Sequence, residues 1–143
     1  MNLSAGGGYA VWAQPGEDTG WQLVVRAPDG TVSTPDVPGF ASPPDLTGGT
    51  GGTGGTAGEG RSLLAVYSRP SGGDEDLYAL DLRSGREHRV APVSSAGADE
   101  VHPSVQFGRL VFVRRGGSCL GVYVWNGRAA PRPPRPPRPS TPL

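Results

Sequence analysis

One pattern occurs three times along the chain and limits what it can fold into. A β-rich run is followed by a polar turn and a second β-rich run, which closes at a two-residue turn containing Gly. The first copy runs Tyr9-Ala10-Val11-Trp12, then Trp21-Gln22-Leu23-Val24-Val25-Arg26, then Asp29-Gly30. The second runs Leu63-Leu64-Ala65-Val66-Tyr67, then Asp76-Leu77-Tyr78-Ala79-Leu80-Asp81-Leu82, closing at Ser84-Gly85. The third runs Leu110-Val111-Phe112-Val113, then Leu120-Gly121-Val122-Tyr123-Val124-Trp125, closing at Asn126-Gly127. Asn-Gly is among the dipeptides best suited to a tight hairpin turn.

The closing glycines Gly30, Gly85 and Gly127 are 55 and then 42 residues apart, and the excess is close to the length of a Gly/Thr-rich insert at 47–60. Without that insert the period is constant. A period of about 40–50 residues with four short strands per repeat is the signature of a propeller blade. Each copy also has room for a first strand, at Asn2-Leu3-Ser4, Pro44-Asp45-Leu46 and Pro103-Ser104-Val105. Fourth strands fit at Val32-Ser33 and Glu87-His88-Arg89-Val90, the latter charged as an outer edge requires.

A sheet with one wet face alternates apolar and polar residues along each strand. Val111-Phe112-Val113 and Val122-Tyr123-Val124-Trp125 do not alternate. They suit sheets covered on both faces by neighbouring sheets. The expected fold is therefore all-β, an incomplete β-propeller of four-stranded antiparallel blades; the alternative that the same strands allow is a β-sandwich. Residues 1–126 form the partial propeller. Within it, 2–46 hold the first partial blade and the start of the next, 47–60 a flexible insert, 61–105 the second blade and 106–126 a third partial blade. Residues 127–143, rich in Pro and Arg, read as a disordered tail.

The chain has 143 residues with thirteen basic and thirteen acidic side chains, so no net charge draws it to nucleic acid or to an anionic membrane. No run approaches the roughly 20 apolar residues of a membrane helix, and no basic region followed by an apolar run opens the chain. Cys119 is the only cysteine, which excludes an internal disulfide and a multi-thiolate metal site. Every basic residue is Arg, with no Lys and no Ile, as GC-rich coding would produce. An initiating Met directly ahead of a first strand, and a Pro/Arg run from Arg128 where a fourth strand belongs, lead to the expectation of a chain truncated at both ends or frameshifted near residue 128.

The second and third copies carry a family likeness. Asp76-Leu77-Tyr78-Ala79-Leu80-Asp81-Leu82 with Ser84-Gly85-Arg86-Glu87 is similar to the third strand and closing turn of the TolB-like propellers, whose blades resemble WD repeats without the Trp-Asp dipeptide. Val101-His102-Pro103-Ser104-Val105, then Gly108-Arg109-Leu110-Val111-Phe112, resembles their blade start. The likeness covers roughly residues 3–126, and the family's Ser-Pro-Asp-Gly turn between first and second strands is absent. The resemblance implies a periplasmic or extracellular docking platform whose loops bind another protein. Asp99, Glu100 and His102, read as an inter-blade loop, are then the expected contact surface. Tyr78-Ala79-Leu80-Asp81 also resembles the repeat of quinoprotein propellers, but His88 or Arg89 replaces the Trp expected soon after Gly85.

Other chemistries find little footing. Gly49-Thr50-Gly51-Gly52-Thr53-Gly54 matches the dinucleotide fingerprint in letters only, since no helix-forming run follows to hold a pyrophosphate. A phosphate-binding loop of the Walker type needs a Lys. His88 falls on an outer strand and His102 beside Pro103, neither in a catalytic elbow, and with one Cys they fall short of a zinc set. Asp74-Glu75-Asp76 reads as a solvated turn that matches no calcium loop. Arg132, Arg135 and Arg138 would share one face of a polyproline helix. No cofactor, metal, catalytic residue or small-molecule ligand is expected. A second functional class is the substrate-gating propeller of a prolyl-oligopeptidase-type enzyme; no Gly-x-Ser-x-Gly elbow occurs, so its chemistry would lie outside these residues.

Overall fold

The computed structural model describes residues 3–17, 20–37, 39–40, 43–46, 63–106, 108–117, 119–128 and 130–134. The Gly/Thr insert and the chain beyond 134 lie outside the described residues. Every described element is a strand, and the strands form three antiparallel sheets. The first contains β1 (Leu3–Gly6), β2 (Tyr9–Pro15), β3 (Trp21–Arg26) and β4 (Val32–Ser33). The second contains β5 (Asp45–Leu46), β6 (Leu64–Ser71), β7 (Asp74–Asp81) and β8 (Glu87–Arg89). The third contains β9 (Asp99–Gln106), β10 (Arg109–Gly116) and β11 (Cys119–Trp125). Each sheet is a meander in which every strand pairs with the next in sequence.

Local chemistry explains the hairpins. Gly6 pairs with Tyr9 and Ser71 with Asp74, leaving two-residue turns at Gly7-Gly8 and Gly72-Gly73. Both residues of each turn have positive φ, which lets the turn follow the right-handed twist of its strands and which glycine adopts without strain.

The middle sheet shows how the three are held together. Along β6 and β7, Ala65 pairs with Leu80 and Tyr67 with Tyr78, and these four point at the first sheet, where they meet Val11, Ala13, Leu23 and Val25. The alternate residues Val66, Leu77 and Ala79 point the other way, onto Leu110 and Phe112 of the third sheet and onto Val90 and Val93. Continuous apolar runs are thus buried on both faces, as the absence of alternation requires. Phe40 completes the first seam with its ring edge-on to Tyr67, centroids 5.4 Å apart.

Three expectations change. The stretch from Asp99 to His102 is the start of β9 and not a loop, and because β9 pairs with β10 the third sheet begins before residue 106. The chain passes Pro103 without leaving the sheet because His102 and Pro103 together oppose Phe112 in a bulge, with His102 at φ 53°. Asp74-Glu75-Asp76 opens β7 instead of forming a turn. Finally, Arg132 exchanges two backbone hydrogen bonds with Val124, of 2.8 and 3.0 Å. The described part of the Pro/Arg tail therefore lies beside β11, where a fourth strand of the third sheet belongs.

Candidate contact surface

The residues expected to meet a partner separate into buried and exposed groups. Glu100 has no solvent exposure. Its carboxylate accepts hydrogen bonds from Arg114 Nε at 2.8 Å, Ser95 Oγ at 2.7 Å and Ser95 N at 3.3 Å. Arg114 in turn donates to the Val93 carbonyl at 2.7 Å and lies 4.7 Å from the centre of the Tyr123 ring. A charge so far from water is stable only when its partners are fixed in this way. Glu100 is thus a structural group of the second seam.

Asp99 and His102 do reach solvent. Asp99 lies at one rim of the stack, where the β6–β7 hairpin, the β8–β9 connection and the β10–β11 hairpin meet. It accepts from Glu75 N at 3.0 Å and from Arg115 Nε at 3.1 Å, and Arg115 also approaches Glu75 at 3.9 Å. Those two donors hold the Asp99 carboxyl below the ordinary carboxylate value, the backbone N–H of Glu75 contributing most. Gly97 N donates to Asp74 at 2.8 Å, fastening the same hairpin to the same connection. Gly116 sits so close to this connection that a β-carbon on it would lie 2.7 Å from the Gly97 carbonyl oxygen. The rim is a closely fitted surface bearing charges of both signs, and His102 stands on the bulge of the adjoining strand.

A second polar node was not legible as a site. Ser4, Asp45 and Ser104 occupy matching places on β1, β5 and β9, opposite Val11, Val66 and Val111. Ser4 Oγ donates to one Asp45 oxygen at 2.8 Å; Val105 N and Ser104 Oγ donate to the other at 2.7 and 3.2 Å. One carboxylate therefore ties together the first strands of all three sheets. Beside it lies an open recess of about 390 Å³ bounded by Leu3, Pro43, Pro44 and Pro103. The available signal was a small polar residue after Leu or Pro on each first strand, at Leu3-Ser4, Pro44-Asp45 and Pro103-Ser104.

Two further carboxylates, Glu87 and Asp76, support the middle sheet. Glu87 accepts from the Tyr67 hydroxyl and from Arg69 at 2.7 Å, and the Arg69 guanidinium lies 3.8 Å over the Tyr78 ring. Asp76 is buried and accepts from Arg89 at 2.8 Å. His88 is exposed on β8. Among the described residues, no group of three or more His, Cys, Asp and Glu is placed to hold a metal ion, and no helix is long and apolar enough to cross a membrane. No protein-family model matches the sequence, and no curated protein resembles it significantly.

Proposed function

We propose that this chain is part of a β-propeller of the TolB-like kind and serves as a non-catalytic scaffold that binds another protein at one rim. The observation that supports the reading is the strand order: three consecutive meanders, stacked face on face, with their first strands gathered on Asp45. Stacked meanders whose first strands lie together are what a propeller requires. A rigid stack of this kind presents its hairpins and connections in fixed positions, which suits recognition of a folded partner because little ordering remains to be done on binding. Arg115 is exposed at that rim and Asp99 half-buried there, His102 is exposed further along β9, and Arg115 combines a charged head with a long apolar stem.

The reading is tested by immobilising the chain, a His102→Asn/Arg115→Ala variant and a control, Arg86→Ala, at the opposite end of β7. Asn is chosen because it tolerates positive φ. A partner retained by the unaltered chain and the control, then purified, is expected to bind the double variant about tenfold more weakly or worse. Retention that does not depend on the rim, or no retained protein, refutes the scaffold role.

A further inference from the structure

The two seams follow one rule, and the rule assigns partners to the two faces that remain. A Val followed by an aromatic residue stands at the same register on each second strand: Val11-Trp12, Val66-Tyr67 and Val111-Phe112. The Val side of one sheet packs on the aromatic side of the next. Val11 shares the first seam with Tyr67, and Val66 shares the second with Phe112. By the same alternation the third sheet has a Val side, with Val111 paired to Val124 and Val113 to Val122. The first sheet has an aromatic side, with Trp12 between Leu3 and Val24.

Among the described residues no further sheet covers either side. Leu120 and Val122 on the Val side of the third sheet are 83% and 46% exposed, and Leu3 and Val32 on the aromatic side of the first are 61% and 57% exposed. These four are all but one of the large apolar side chains exposed among the described residues, the other being Trp21. On the third sheet Leu120 and Val122 are neighbours along β11, and on the first Leu3 and Val32 stand on the two outer strands either side of half-buried Trp12 and buried Val24; exposed apolar side chains gathered on a sheet face mark an interface.

We infer that the Val face of the third sheet docks on the Trp12 face of the first sheet of a second copy of this chain. The occupant follows from the seams themselves, because the chain carries both halves of a contact it already makes twice. Such a contact is head-to-tail, so it builds a closed ring of two or more copies, two copies giving six sheets in all, or an open row. The inference rests on the stacked-sheet part of the reading above and is independent of any partner at the rim.

Sedimentation of the full chain over a range of concentrations, with circular dichroism as the folding control, tests it. Val122→Glu blocks the Val face and Leu3→Glu the aromatic face; both positions are exposed, so folding is retained. The unaltered chain is expected to rise above its 14.7 kDa monomer mass, and each variant alone to stay there. Mixing the two variants is expected to give twice that mass, because each supplies the face that the other has lost. A folded, unaltered chain that stays monomeric at every concentration overturns the pairing, as does a Leu3→Glu variant that associates normally. A chain without a cooperative β-sheet melt removes the stacked sheets and the pairing together.

Discussion

The second and third sheets are built from the same alternation of apolar residues, yet the second buries both faces and the third only one. Leu77 on β7 is fully buried while Leu120 on β11 is 83% exposed, although each stands in a strand of similar apolar character. What differs is the neighbour. A sheet's apolar face contributes to stability only through what covers it, so equal sequence patterns have unequal energetic weight in this molecule.

The largest effect that would break this comparison lies at the seam's buried charge pair. Arg114→Met leaves the buried Glu100 carboxyl with Ser95 but without its guanidinium partner and is expected to cost about 3–5 kcal/mol, read from urea unfolding. Adding Glu100→Leu should recover most of that loss, because the buried carboxyl left without its partner is then gone. If Arg114→Met is neutral, the second seam is not held as described.

Truncations on the two sheets sharpen the contrast. Leu77→Ala is expected to destabilise by about 2–5 kcal/mol, since it removes buried methyls and leaves a cavity. Leu120→Ala should stay within about 0.5 kcal/mol of the unaltered monomer. Equal costs at the two sites would mean that the outer face of the third sheet is covered within the monomer.

The pH dependence is smaller and has opposite signs at the two seams. Burial, and then the hydrogen bond to Glu87, raise the Tyr67 hydroxyl well above its ordinary value of 10.0. The folded state therefore favours the protonated phenol: its stability is intact below pH 10.0 and falls as the pH rises past that value. Asp99 is shifted the other way, so its contribution is intact above its ordinary value of 3.8 and is lost as the pH falls below it. Tyr67→Phe should flatten the alkaline limb of thermal melts, and Asp99→Asn should flatten, by a lesser amount, the acid limb.

Much of the architecture was readable from local pattern. The runs around Val11, Val66 and Val111 became β2, β6 and β10, and the short outer strands at Val32-Ser33 and Glu87 to Arg89 stand where charge and brevity placed them. The expected contact residues were harder. Asp99, Glu100, His102 and Pro103 are polar or strand-breaking and read as a loop, and nothing nearby shows that Arg114 will cross the sheet to meet Glu100. A bulge at His102 is likewise a property of two strands, visible only when Phe112 lies opposite. Asp45 escaped notice because its ligands come from residues 41 to 60 positions away in the sequence.

By itself the sequence determined the strand content, the threefold period, the hairpin turns and the apolar character of both strand faces, because these depend on backbone sterics and side-chain alternation within a few residues. Tertiary structure decided which of those faces are dry, which carboxylates are structural, and that Arg132 takes the place beside β11. Those outcomes depend on long-range neighbours, and burial and charge pairing are properties of neighbours.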